Sequence, residues 1–139
     1  MINANNGNII FESPKIEFSR GMTILQFRES SFFSFFKLAM DLDPSFTYHC
    51  ESTQANNRTF EVSVKFYSDV ILRLYLSIIQ PSRPPEDNYY HRNYLRQTLG
   101  NPTEVQYENV KYAFAWGSII VVDIKGTESD ICINYEAGK

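Results

Sequence analysis

Two consecutive stretches in the middle of the chain alternate apolar and polar residues, which is the pattern of strands with one buried face. In RTFEVSVKFY, Phe60, Val62, Val64 and Phe66 alternate with Glu61, Ser63 and Lys65. In DVILRLYLSII, Val70, Leu72, Leu74, Leu76 and Ile78 alternate with Arg73, Tyr75 and Ser77. A turn around Ser68-Asp69 separates the two runs. The pattern predicts an antiparallel hairpin whose polar face is exposed to water.

The C-terminal stretch YAFAWGSIIVVDIKGTESDICINY, residues 112–135, is apolar on both sides of its expected strands. Gly117-Ser118 predicts a two-residue hairpin turn, because glycine adopts the positive φ that such a turn requires. Trp116 then lies opposite Ile119. On this register one face carries small and branched residues and is the expected core: Ala113, Ala115, Ile120, Val122, Ile124, Ile131, Ile133 and Tyr135.

The opposite face of this predicted hairpin mixes aromatic and polar side chains, as half-wet surfaces and protein interfaces do. Two interpretations remain open: a loop or the N-terminal segment covers the aromatic side chains within the monomer, or another protein binds them. On the second interpretation, the predicted partner-binding residues are Tyr112, Phe114, Trp116, Asp123 and Glu108. Asp123 is equally explained as a surface aspartate that pairs with a lysine or a tyrosine hydroxyl.

Helices are predicted at two places. SSFFSFFKLAMDLDP has phenylalanines at helical spacing, a serine cap at its start and Asp43-Pro44 at its end. In the second helix, which Gly100 ends, the buried stripe is Tyr90, Tyr94, Leu95, Thr98 and Leu99. The N-terminal pieces NIIF, KIEF and MTILQF are predicted to be extended. The expected fold class is therefore α+β, a mainly antiparallel β-sheet with two helices packed on one face.

Composition bounds the organisation of the chain and its partners. With 139 residues, 43% of them hydrophobic, it is expected to form one globular domain, residues 1–139. The formal net charge of −3 argues against nucleic acid and anionic membranes and favours a basic protein partner. No secretory or membrane-spanning pattern is present, so we expect a cytoplasmic protein. Cys50 and Cys132 are then expected to be reduced structural thiols.

Two groups of polar residues have the residue types of a catalytic or metal site, but their spacing favours a structural role. The first group is His91, Arg92 and Arg96. A ribonuclease would use such residues, yet no second acid-base group stands at a motif spacing, so a solvated helix flank is the better interpretation. The second group is His49, Cys50 and Glu51. Neighbours on a strand point to opposite faces and do not converge on one ion. No catalytic residue, metal or cofactor is predicted.

The C-terminal third, YLRQTLGNPTEVQYENVKYAFAWGSIIVVDIKGTESDICINY, resembles the end of many small bacterial proteins. These include immunity proteins of contact-dependent and polymorphic toxin systems. The shared pattern covers residues 94–135: a helix ending in Leu-Gly-x-Pro, a Trp-Gly hairpin and a short last strand. The resemblance implies a non-enzymatic protein that binds one toxin domain and blocks its active site.

We therefore expect a non-enzymatic protein-binding module, in particular an immunity protein that neutralises a cognate basic toxin domain. The alternative is a small-ligand-binding protein or an unrecognised enzyme. That alternative needs a pocket between the sheet and the phenylalanine-rich helix. A toxin gene immediately upstream would distinguish the two.

Overall fold

The computed structural model describes residues 1–79, 89–107, 109–125 and 127–136. The elements follow one another as β1 (Ile9–Glu12), β2 (Lys15–Phe18), α1 (Ile24–Glu29), a 3-10 turn (Phe33–Phe35), β3 (Lys37–Leu42), β4 (Ser45–Ala55), β5 (Arg58–Tyr67), β6 (Val70–Ile79), α2 (Tyr90–Leu99), β7 (Glu104–Gln106), β8 (Asn109–Phe114), β9 (Gly117–Val121), β10 (Asp123–Ile124), β11 (Thr127–Glu128) and β12 (Ile131–Tyr135).

Eight strands form one antiparallel sheet in the order β3-β4-β5-β6-β12-β9-β8-β7. The inward residues of this sheet share one hydrophobic core with both helices and with the β1–β2 hairpin. Helix α1 contributes Ile24 and Phe27 to that core, and α2 contributes Tyr94 and Leu95. The predicted fold class, α+β with a mainly antiparallel sheet and two helices packed on one face, is confirmed.

Strands β5 and β6 form the predicted central hairpin, with Tyr67 paired to Val70 across the turn. The predicted inward residues of β5 are all fully buried: Phe60, Val62, Val64 and Phe66. A bulge beside Lys65 then shifts the start of β6 by one residue. Ile71 is buried as a result, whereas Val70 is 40% exposed. Simple alternation misses this shift because one extra residue exchanges the two faces of a strand.

The C-terminal hairpin has a different turn from the predicted one. Phe114 pairs with Gly117, so the turn residues are Ala115 and Trp116 rather than Gly117-Ser118. A Cβ on Gly117 would lie 1.9 Å from the carbonyl oxygen of Asn134 in β12. Glycine is therefore needed at this position for the close approach of a neighbouring strand and not for a turn.

The change of register also changes which face of these strands is the core. Ile131, Ile133 and Tyr135 are buried as predicted, but Ile133 pairs with Ile119 of the aromatic face instead of Val122. The other predicted core residues of the hairpin are half-buried or exposed: Ala113, Ala115, Ile120, Val122 and Ile124. The predicted core face of β8 and β9 is therefore wrong, and the aromatic face is the buried one.

The first predicted helix is also wrong. Phe33–Phe35 form a single 3-10 turn, and the residues after them form β3. The helix lies earlier, in α1, where the Thr23 hydroxyl accepts the N–H of Gln26 and the Gln26 side chain accepts the N–H of Thr23. This reciprocal capping box was present in the stretch predicted to be extended. The alternative pocket between the sheet and a phenylalanine-rich helix therefore has no such helix to line it.

Aromatic rings fill the space between α1 and the sheet. The ring centroid of Phe27 lies 5.1 Å from those of Phe36 and Tyr48 and 5.2 Å from that of Phe66. Contacts at these distances add to the burial of the rings, mostly through edge-to-face geometry. Phe27, Phe32 and Phe36 are thus core residues, whereas Phe35 is 49% exposed.

Helix α2 ends before Gly100 as predicted, but its flank is not solvated. His91 and Arg92 are 4% and 8% exposed, while Arg96 is exposed. The carboxylate of Glu128 accepts the backbone N–H groups of His91, at 2.6 Å, and Arg92, at 3.2 Å. An acid from β11 therefore caps the start of this helix, where its positive dipole end lies. The acids predicted to begin the helix, at positions 86 and 87, lie outside the described residues.

Candidate partner-binding surface

The five residues predicted to bind a partner do not form a common surface among the described residues. Tyr112 and Trp116 are 3% and 2% exposed. Phe114 is half-buried and stacks on Trp116, with ring centroids 4.8 Å apart. Asp123 is half-buried in β10, and Glu108 lies outside the described residues. Their role in binding stays a prediction, but the exposed aromatic face on which it rested is not present.

The N-terminal segment covers this aromatic face. The indole N–H of Trp116 donates to the carbonyl oxygen of Ala4 at 2.9 Å. The hydroxyl of Tyr135 donates to the carbonyl oxygen of Gly7 at 2.8 Å. Gly7 packs so closely on the indole that a Cβ there would lie 2.6 Å from Cδ2 of Trp116. Coverage within the monomer is therefore the correct one of the two interpretations that the sequence left open.

Asp123 belongs to the small β10–β11 hairpin, where its backbone lies opposite that of Glu128 in the strand register. Its backbone N–H donates to Oδ1 of Asn109 at 2.7 Å. Its own Oδ1 is shielded from solvent and has no hydrogen-bond partner among the described residues. A charge reversal at this position would therefore disturb packing as well as surface charge.

The opposite face of the sheet, which we call the open face, gives solvent access to the central strands. One row of cross-strand neighbours runs across it through His49, Ser63, Tyr75, Cys132, Ile120 and Lys111. All six are half-buried, whereas alternate residues of the same strands, such as Val62 and Leu76, are fully buried. Because both helices and the β1–β2 hairpin contribute to the core on the other side, the described residues leave this face to solvent.

Arg73 is held at the centre of the open face by neutral groups. Its Nε–H donates to Oδ1 of Asn134 at 2.6 Å, and its Nη1 lies 3.4 Å from the hydroxyl of Tyr75. The hydrogen bond to Tyr75 is the main cause that raises the pKa of Arg73 above its ordinary value. The guanidinium therefore keeps its charge, and these two contacts orient that charge without neutralising it.

An apolar groove of about 460 Å³ lies beside Arg73 on the same face. Its lining residues are Tyr75, Ile120, Val122, Ser129, Asp130, Cys132 and Asn134. Burial raises the pKa of the Cys132 thiol. Because the thiolate is the reactive form, this cysteine is better suited to packing than to nucleophilic chemistry. The groove can take one apolar side chain of a partner, next to polar groups that fix its orientation.

The end of the open face nearest the edge strand β3 is apolar. Four side chains there are exposed by 40–64%: Met40, Leu42, Tyr67 and Val70. Strand pairing places them on one face, and a bulge in β3 turns Met40 towards that face. Such a concentration of exposed apolar side chains is typical of an interaction site.

His49 and Ser63 lie together on the open face and have two of the residue types used in nucleophilic catalysis. Nδ1 of His49 lies 2.8 Å from Oγ of Ser63. No acidic group of the described residues hydrogen-bonds to the histidine, so the pair lacks the third member that orients a catalytic imidazole. Within the described ranges, no three His, Cys, Asp or Glu side chains are grouped to hold a metal ion.

The sequence predicts some residues of the open face and does not predict others. The alternation of β5 and β6 predicts that Ser63, Lys65, Arg73 and Tyr75 face water. Asn134 and the groove residues other than Tyr75 were assigned to other faces or left unassigned, because the predicted hairpin register was wrong. Register depends on contacts between strands far apart in sequence, which periodicity alone does not report.

No protein-family model, curated protein or solved structure matches this chain. None of the helices in the described part of the chain is long and apolar enough to cross a bilayer.

Proposed function

We propose that this protein is a non-enzymatic protein-binding module that holds its partner on the open face of the sheet. The observation that carries the proposal is the position of Tyr75. It is half-buried at the centre of the eight-stranded sheet, between the charged Arg73 and the apolar groove. Tyrosine and arginine are the residue types that most often dominate binding energy, and a neighbouring pocket is their usual setting.

The apolar residues at the edge of the open face support the same proposal. Met40 and Leu42 are 52% and 64% exposed, so a partner that covers them removes apolar surface from water. The side chains of the open face project from a rigid sheet. A partner therefore loses little affinity to the ordering of this surface on binding.

In its specific form, the proposal is that the protein is a bacterial immunity protein. It acts in the cytoplasm, where it binds one cognate toxin domain and blocks that domain's active site. The resemblance of residues 94–135 to such proteins supports this form. Neither nucleic acid nor a membrane is required as a partner.

The overall charge of the partner and the charge of its contacting patch differ in this proposal. The net charge of −3 steers a toxin domain that is basic overall, because long-range attraction depends on total charge. The contact itself depends on local charge, and the centre of the open face carries Lys65 and Arg73. A basic toxin domain therefore places an acidic or polar patch on this face.

Site-specific photo-cross-linking in the native cell tests the proposal. A photoreactive phenylalanine analogue replaces Ile120 on the open face, and the matched control carries it at the exposed Glu17 of β2, on the opposite side of the molecule. The expected result is one cross-linked protein from position 120 and none from position 17. The purified partner should then bind with one-to-one stoichiometry, and Tyr75→Ala should weaken binding at least tenfold.

Three results would contradict the proposal: cross-linking only from position 17, no stoichiometric binding by the purified partner, or unchanged affinity in Tyr75→Ala. The immunity form has its own test, in which the partner is expressed in a sensitive host. Co-expression of this protein should restore growth, and the Tyr75→Ala variant should restore it less. Growth arrest that this protein does not relieve would leave a binding module without an immunity role.

A further inference from the structure

Two like charges lie directly opposite each other on the open face. Lys65 of β5 pairs in register with Arg73 of β6. Like charges at directly opposed positions of an antiparallel pair destabilise the sheet, whereas an acid at either position would stabilise it. The free protein therefore keeps an unfavourable pair in the middle of its largest sheet.

The surroundings of this pair are neutral. Thr47 lies opposite Lys65 on its other side, and Asn134 lies opposite Arg73. Among the described residues, neither side chain of the pair forms an ion pair. Glu136, two residues beyond Asn134, makes no ion pair with Arg73. Within the described ranges, the two positive charges are thus uncompensated.

Arg73 is also fixed in place before any ligand arrives. Its Nε–H donates to Oδ1 of Asn134, and one N–H of Nη1 donates to the hydroxyl of Tyr75. The remaining N–H groups of the guanidinium make no hydrogen bond to the described residues and are available to an acceptor. The three remaining N–H groups lie in the plane of the guanidinium, an arrangement that suits a carboxylate.

We propose that Lys65 and Arg73 together receive a carboxylate of the protein partner. This inference rests on the proposed function, since it names the chemistry of the partner at the same face. The carboxylate accepts hydrogen bonds from the free guanidinium nitrogens of Arg73 and from the ammonium of Lys65. Adjacent apolar residues of the partner cover the groove and the edge of the open face.

A protein carboxylate fits the open face better than the phosphates of a nucleic acid. Nucleic-acid binding needs several cations that follow a phosphate backbone, together with a locally basic surface. Here the cationic pair is flanked on one side by the apolar groove and on the other by Tyr67, Val70 and the apolar edge. One acidic residue within an apolar contact matches that arrangement.

The first test uses the free protein and glutarate, a dicarboxylate, as the probe at constant ionic strength. We expect a saturable shift of the Arg73 Nε–Hε resonance in nuclear magnetic resonance spectra. Lys65→Gln should abolish the shift. Lys111→Gln is the matched control, because Lys111 lies on the same face opposite an acid, Glu104, and should leave the shift unchanged. Absence of a saturable shift in the wild type, or a shift in Lys65→Gln equal to that of the wild type, would overturn the inference. Saturable binding of a duplex or single-stranded oligonucleotide without binding of glutarate would also overturn it.

The second test uses the purified partner. Lys65→Glu places an acid opposite Arg73, so it should weaken partner binding at least tenfold while leaving the melting temperature equal or higher. Unchanged affinity in Lys65→Glu alongside weakened binding in Tyr75→Ala would overturn this inference and leave the proposed function standing. The opposite result is saturable binding of glutarate to this protein together with no partner that binds it stoichiometrically. That result would support the carboxylate site and contradict the proposed function.

Discussion

The backbone N–H of Ile78 donates a hydrogen bond to Nε2 of His91 across 3.0 Å, in a buried position. Nε2 must therefore carry its lone pair. Nδ1 then carries the proton, and it lies 2.8 Å from the carbonyl oxygen of Ser129. One imidazole thus connects the end of β6, the start of α2 and the loop before β12.

The first prediction concerns this imidazole. His91→Ala leaves the N–H of Ile78 buried without an acceptor, which costs about 1–3 kcal/mol of unfolding free energy. His49→Ala is the control, because that histidine is half-buried on the open face and should cost under about 1 kcal/mol. Denaturant melts measure both. In addition, nitrogen-15 spectra should show the Nδ1–H tautomer of His91, and observation of the Nε2–H tautomer at neutral pH would contradict the hydrogen bond.

The second prediction concerns the cover over Trp116. Gly7→Ala adds a methyl group 2.6 Å from the indole, at a residue with φ of +78°. Gly21→Ala is a matched control, because Gly21 has φ of +81° and nothing within 4 Å of the added carbon. Backbone strain of about 1–2 kcal/mol should be common to both variants. Gly7→Ala should cost a further 1–3 kcal/mol, roughly, through overpacking.

Fluorescence provides an independent measurement of the same cover. The chain has one tryptophan, so its emission reports Trp116 alone. Displacement of the N-terminal segment in Gly7→Ala should shift that emission to longer wavelength, and Gly21→Ala should leave it unchanged. Equal stability and equal emission in the two variants would show that the N-terminal segment does not pack on the indole.

The sequence predicts the parts of this fold that depend on local pattern. Phe60 to Phe66 alternate without interruption, and the hairpin that they predict is present in the structure. Thr23 and Gln26 carried an equally local signal, a capping box, and the helix after them could have been found. Phe32 to Phe36 show helical spacing, but tertiary pairing of the next residues with β4 outweighs that propensity.

The sequence does not predict the C-terminal register, and the candidate site depends on it. Gly117 has the residue type of a turn, yet its actual constraint is the backbone of Asn134, which is distant in sequence. The cover over Trp116 comes from Ala4 and Gly7 at the other end of the chain. Periodicity carries no information on such long-range contacts. The sequence therefore identifies Lys65 and Arg73 as water-facing but not the groove beside them.

The third prediction tests the register directly. Ile133 is fully buried, whereas Ile124, which the sequence placed in the same core, is 61% exposed. Ile133→Ala should lower the free energy of unfolding by about 2–5 kcal/mol. Ile124→Ala should change it by less than about 0.5 kcal/mol. Similar losses in the two variants would contradict the register and restore the alanine-bearing face as the core.

The fourth prediction concerns alkaline pH. Burial raises the pKa of the Tyr135 hydroxyl far above the ordinary tyrosine value of about 10. A group whose pKa is raised by folding contributes stability that is complete below its unfolded pKa and is lost as the pH rises towards its folded pKa. The wild type should therefore lose stability above about pH 10, where the unfolded chain releases this proton and the folded chain does not. Tyr135→Phe loses the hydrogen bond to the carbonyl oxygen of Gly7, so at pH 7 it should be less stable by about 0.5–1.5 kcal/mol. Because the phenyl ring does not titrate, the stability difference between wild type and Tyr135→Phe should shrink between about pH 10 and 11 in denaturant melts. A stability difference that is constant with pH would show that Tyr135 is accessible to water in the folded protein.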